Sequence, residues 1–128
     1  MTNLSHIPPI KDQLGRALRD LRISVMDRCN FRCVYCMPED KFHPGFKFLP
    51  SKERLSFDEM LRLVRIFTKL GVTKIRITGG EPLLRVNLTD FIGDLSTLDN
   101  IKDIALTTNG VLLKKYAHEL KASGLDRI

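Results

Sequence analysis

The stretch Val72-Thr73-Lys74-Ile75-Arg76-Ile77-Thr78-Gly79-Gly80-Glu81-Pro82 decides the fold. Residues 72–78 alternate polar and apolar side chains as a β-strand does, and the glycines and proline after them read as a turn. Upstream, residues 57–70 repeat apolar positions at helical spacing through Met60, Leu61, Leu63, Val64 and Phe67, with Ser56 as N-cap and Gly71 as stop. Downstream, residues 88–98 read as a second helix, 101–107 as a further strand, and 112–123 as a third helix ended by Gly124. Residues 21–25 form a strand before the first helix, and 126–128 look like the start of another. This order predicts an α/β chain with parallel strands, as in an α/β barrel or a doubly wound sheet. We favour an incomplete barrel: three β/α units cannot close a ring of six or eight strands, so the last strand is expected to lack partners. Residues 1–20, with Pro8-Pro9, read as an extended N-terminal arm, and 21–128 as one barrel core without linker or repeat.

The faces of the strands say more than their positions. Arg22 and Ser24 share one face of the first strand, and Lys74, Arg76 and Thr78 share one face of the second, while Ile23, Val25, Ile75 and Ile77 take the other. Ala105 and Thr107 likewise oppose Ile104 and Leu106. If the isoleucine faces pack on helices, the opposite faces line a cationic interior suited to a polyanion, because guanidinium groups bind phosphate oxygens bidentately. The alternative is that Arg22 and Arg76 reach water at the ends of short strands. The net charge of +6 agrees with an anionic partner or with a solvated basic surface.

All three cysteines, Cys29, Cys33 and Cys36, lie within eight residues. An odd count crowded into one loop is no disulfide framework and points to metal. Thiolates at this spacing can ligate three irons of a [4Fe–4S] cluster and leave the fourth open. Structural zinc is the rival, but it wants four closed ligands, and the only nearby fourth is His43, in the loop His43-Pro44-Gly45. A zinc-stabilised module binding nucleic acid would also want aromatics among its basic strands, and only 7% of residues are aromatic. His6, His43 and His118 are expected on surface or loops, and Met60 and Phe67 in the core. No apolar run approaches the ~20 residues of a membrane span, and residues 1–10 lack the regions of a signal peptide, so a cytosolic location is expected.

Cys29-x3-Cys33-x2-Cys36, with Tyr35 before the last cysteine, together with Gly79-Gly80-Glu81-Pro82 after a strand, resembles the signature of radical S-adenosylmethionine enzymes. The flanks resemble a narrower family, the GTP 3',8-cyclases (molybdenum cofactor biosynthesis protein A). The runs carrying that likeness are Gly15-Arg16, Asp20-Leu21-Arg22-Ile23-Ser24-Val25, Asp27-Arg28-Cys29-Asn30-Phe31-Arg32-Cys33, Tyr35-Cys36-Met37-Pro38-Glu39, Lys74 to Arg85, and Leu106-Thr107-Thr108-Asn109-Gly110. Met26 stands where the family often has threonine, outside the ligand set.

The resemblance implies a radical-SAM-type (β/α) barrel in which Cys29, Cys33 and Cys36 hold the cluster and S-adenosylmethionine chelates its open iron. Tyr35, Gly80 and, more weakly, Glu81 would contact S-adenosylmethionine. Arg22, Arg76 and Thr107, with Lys74 a lesser candidate, would contact GTP. Reductive cleavage would give a 5'-deoxyadenosyl radical that takes the ribose 3' hydrogen, and the substrate radical would close onto guanine C8. An electron donor such as flavodoxin or ferredoxin, a downstream cyclic pyranopterin monophosphate synthase and a homodimeric full-length form are implied partners, with no membrane and no nucleic acid. The family's second, C-terminal [4Fe–4S] cluster and later S-adenosylmethionine contacts do not occur in this sequence, so a molecule ending at Ile128 is not expected to turn over GTP. Another radical S-adenosylmethionine enzyme, such as a peptide or quinone-precursor maturase, is the nearest alternative.

Overall fold

The computed structural model describes residues 8–128, which places His6 outside the described residues. Three parallel strands, β1 (Asp20–Ser24), β2 (Lys74–Thr78) and β3 (Asp103–Leu106), form a sheet in the order β1-β2-β3. Helices α1 (Phe57–Lys69), α2 (Leu88–Ser96) and α3 (Leu113–Ala122) follow the strands in turn, as the sequence pattern predicts. The fourth strand expected at the chain's end begins in parallel with β3, through a bridge between Ala105 and Arg127.

Local chemistry explains the boundaries. Ser56 caps α1 in a reciprocal box: its hydroxyl accepts from the Glu59 N–H at 3.1 Å, and the Glu59 carboxylate accepts from the Ser56 N–H at 2.7 Å. The helix stops at Gly71, whose φ of 111° is open to glycine and strained for other residues. β2 starts two residues later than the alternation suggests, because the Thr73 and Lys74 N–H groups converge on one acceptor, the Arg19 carbonyl. The ladder becomes regular only at Lys74. α2 ends at Ser96 rather than at 98, where the Thr97 hydroxyl turns back to the Asp94 carbonyl at 2.7 Å.

The region expected as an extended arm contains a tight reversal within its described part. The Asp12 carboxylate accepts from the N–H groups of Leu14 and Arg16, and Lys11 pairs antiparallel with Ala17.

One side of the sheet is packed and the other open. Ile75, Ile77, Ile104 and Leu106 are buried against Val64, Leu88, Phe91, Ile92, Leu95 and Leu120 of the helices. The Phe57 and Phe91 rings stack at 4.6 Å between α1 and α2. On the opposite side Arg22, Ser24, Lys74 and Arg76 are exposed. Met60 and Phe67 belong to the core or pack on it, as expected.

Candidate functional site

Parallel strands bring their carboxyl ends to one edge, so the loops after β1, β2 and β3 meet there. The first carries the cysteines. The Cys36 and Met37 N–H groups donate to the Cys33 carbonyl at 3.0 and 2.9 Å, making a helical turn that sets Cys33 and Cys36 three residues apart on one side. Met37 anchors this turn in the interior, leaving Cys36 exposed and Cys29 and Cys33 half-buried, all three as free thiols. Arg32 braces the loop from within by donating to the carbonyls of Cys29, Phe31 and Phe42, each at 2.9 Å. Tyr35 projects outward, 89% exposed.

The base of the loop is clamped from two directions. The Asp27 carboxylate accepts from the Leu49 N–H at 2.7 Å and faces Arg54 at 3.6 Å. Arg85 donates to the carbonyls of Val25 and Leu55 at 2.8 and 2.6 Å and lies over the Phe57 ring at 4.3 Å. Burial, and then the nearby Arg54 charge, push the Arg85 guanidinium pKa below its usual value.

The second loop, Gly79-Gly80-Glu81-Pro82, packs directly on the first. The N–H groups of Gly80 and Glu81 donate to the carbonyls of Met26 and Arg28, the latter at 2.8 Å. A methyl built on Gly80 would fall inside the contact distance of the Arg28 carbonyl, so this glycine already serves close approach of two backbones. Glu81 is 1% exposed and turned inward. Its carboxylate accepts from the Leu83 N–H at 3.1 Å, the Thr108 hydroxyl at 2.7 Å and the Asn109 N–H at 2.8 Å. The turn after β2 is thereby tied to the loop after β3.

Below these loops the open face is organised in rows. Arg22 pairs in register with Arg76, Arg76 with Ala105, and Ala105 with Arg127. Ala105, expected beside Thr107 on the open face, is instead 4% exposed, because long side chains flank it on both sides. Ser24 pairs with Thr78 one rung nearer the loops, and Thr107 is exposed at the end of β3. Lys74 lies one rung farther away, in register with Asp20 and Asp103, two acidic neighbours on the adjacent strands. Arg127 lies in the strand start expected over residues 126–128 but was not a site candidate on sequence, since only the bridge to Ala105 puts it in this row. It donates to Asp103 from Nε at 2.9 Å, and that hydrogen bond holds the Asp103 carboxyl below the usual carboxylate range.

The donor chemistry, three thiols in one loop, fits an iron–sulfur cluster. Free thiols spread along a loop suit a group in which each sulfur meets its own iron. His43 accepts from the Gly45 N–H at its Nδ1, 3.2 Å away, and is exposed, as is His118 on α3. Sequence reasoning also passed over the Phe42, Phe46 and Phe48 rings, whose centroids lie 4.8 to 6.3 Å apart and which carry Arg28 and Arg32 over Phe48. Their spacings, four residues and then two, follow no single helical or strand period.

The sequence model of the Radical SAM superfamily matches residues 23–128, from the middle of β1 to the end of the described chain. The chain belongs to this superfamily. Membership implies a [4Fe–4S] cluster and S-adenosylmethionine, with the three cysteines as the available thiols. Among curated relatives, the GTP 3',8-cyclase of Staphylococcus aureus strain Mu3 is 58% identical over 122 residues, covering 95% of this chain and 36% of the relative. The GTP 3',8-cyclase of Staphylococcus haemolyticus strain JCSC1435 is 57% identical over the same length and shares. The chain therefore spans about a third of the length of these relatives. No helix among the described residues is long and apolar enough to cross a membrane.

Proposed function

We propose that this radical SAM chain is the cluster-binding and substrate-binding part of a GTP 3',8-cyclase, acting in the first step of molybdenum cofactor biosynthesis. The register pairing of Arg22 with Arg76 carries the reading. Like charges directly opposite one another on adjacent strands, about 5 Å apart at the backbone, are unfavourable unless an anion bridges them. Among the described residues neither guanidinium forms an ion pair, whereas Arg16, Arg54 and Arg127 all do. A nucleoside triphosphate beneath the cysteine loop supplies the missing charge, and the names of the relatives favour GTP.

Each residue then has a task. Cys29, Cys33 and Cys36 hold three irons of the cluster. Tyr35 and Gly80 border S-adenosylmethionine, and Glu81 serves the same region by fixing its wall. Arg22 and Arg76 grip phosphate oxygens, Thr107 orients the substrate through its hydroxyl, and Lys74 adds longer-range attraction. When bound, the cluster and S-adenosylmethionine supply a carbon-centred radical able to abstract a ribose hydrogen. The protein's share is to keep the ribose facing that radical and to exclude water. The reading extends to a cytoplasmic setting, an electron donor of the flavodoxin or ferredoxin type, a downstream cyclic pyranopterin monophosphate synthase and a homodimeric assembly.

Anaerobic reconstitution tests the first half of this reading: about four irons and four sulfides per chain are expected, with an electron paramagnetic resonance signal perturbed by S-adenosylmethionine. Equilibrium dialysis with GTP tests the second. Arg22→Ala and Arg76→Ala should each weaken binding about tenfold or more, as expected for lost charge-assisted hydrogen bonds. A cluster with GTP binding indifferent to both arginines would point to a peptide or quinone-precursor maturase. Zinc in place of iron, with salt-dependent nucleic-acid binding, would discard the enzyme reading.

A further inference from the structure

Asn109 lies 80 residues from Cys29 in sequence, yet its amide nitrogen approaches the Cys29 sulfur at 3.9 Å and the Asn30 side-chain oxygen at 2.8 Å. Its orientation is held from the other side. The amide oxygen accepts from the Val111 N–H at 3.1 Å, so the NH2 group must face the cysteine loop. The backbone is held too, since the Asn109 N–H donates to the buried Glu81 carboxylate at 2.8 Å. Thr108 strengthens that anchor, donating its hydroxyl proton to Glu81 at 2.7 Å while accepting from the Gly110 N–H at 3.1 Å. One inward carboxylate thus fixes the loop after β3, and that loop aims a single amide donor at one of the three thiols.

Hydrogen bonds to the sulfurs are among the factors that set a cluster's reduction potential, because a donor stabilises the more negative, reduced form. We infer that Asn109 is a positioning residue that raises the reduction potential of the cluster through its Nδ2–H donor to Cys29, and that Glu81 acts through Asn109. The inference rests on the reading of Cys29 as a cluster ligand. It also gives Glu81 a role that its saturated, inward carboxylate can perform.

Potentiometric titration of the reconstituted chain, followed by electron paramagnetic resonance, reads the effect without turnover. Asn109→Ala should load iron and sulfide like the wild type and show a lower midpoint potential. Asn109→Asp is nearly the same shape and turns an anionic oxygen toward the sulfur, so its midpoint should fall further. Glu81→Gln supplies an opposite-sign control: losing a nearby negative charge by itself raises the potential, whereas losing the grip on Asn109 lowers it, and a net fall is expected. Midpoints unchanged within error, a rise in Glu81→Gln, or an Asn109→Ala chain that folds but cannot retain the cluster would each overturn the inference. A wild-type chain that takes up no iron and sulfide overturns the ligand reading and this inference with it. A loaded wild type with unshifted variants overturns the inference alone.

Discussion

The two faces of the β-sheet obey different rules. On the packed face Ile75, Ile77, Ile104 and Leu106 are at most 2% exposed and meet the helices. On the open face, Arg76, between Ile75 and Ile77 of β2, and Arg22, opposite it on β1, stand exposed side by side. Burial of apolar surface accounts fully for the first. Nothing in folding accounts for the second, since aligning two cations weakens the pairing of β1 with β2. On the proposed reading, the difference separates what stabilises the molecule from what a bound nucleotide would require. Substitutions on each side can break that separation or sharpen it.

The largest effect belongs to the packed face. Phe91 is 1% exposed and stacked on Phe57, so Phe91→Ala removes ring contacts from both helices and leaves a cavity. A loss of about 3–5 kcal/mol is expected in urea unfolding, with GTP binding affected only through the folded fraction. A loss under about 1 kcal/mol would mean that the helices do not depend on this face.

Gly80→Ala comes next, at the boundary between the faces. The added methyl collides with the Arg28 carbonyl, so the cysteine loop must retreat from the turn after β2. A cost of about 1–3 kcal/mol is expected. Cluster retention should suffer more than stability does, because the displaced segment leads straight into Cys29. Equal retention by the variant and the wild type would show that the glycine is needed for neither the loop nor its cargo.

The packed face was legible in the sequence because burial leaves a period: two in the strands, near 3.6 in the helices. The cysteines and Gly79-Gly80-Glu81-Pro82 were legible because a site confined to a short segment carries its spacing with it. What the sequence could not display were contacts made across the fold. Asn109 reaches Cys29 only once β1 and β3 lie parallel with their carboxyl ends together. Arg127 joins the cationic row only through its bridge to Ala105. The inward turn of Glu81 was hidden by its motif, because the Thr108 and Asn109 groups its carboxylate accepts from lie in the loop after β3.

The smallest expected effect is the most informative about the open face. Arg76→Gln keeps the strand's length and hydrogen-bonding ability while removing one of the two aligned charges. Because Arg76 is exposed and forms no ion pair among the described residues, unfolding stability should change by no more than about 0.5 kcal/mol, on the stabilising side. Salt provides the internal check. Screening relieves the Arg22–Arg76 repulsion in the wild type, so its stability should rise more between low and high ionic strength than that of Arg76→Gln. GTP should erase the difference in the other direction, stabilising the wild type by mass action and the variant much less. If Arg76→Gln instead cost as much as Phe91→Ala, the charge would be part of the folding machinery, and the division between the faces would fail at the position where it is most clearly drawn.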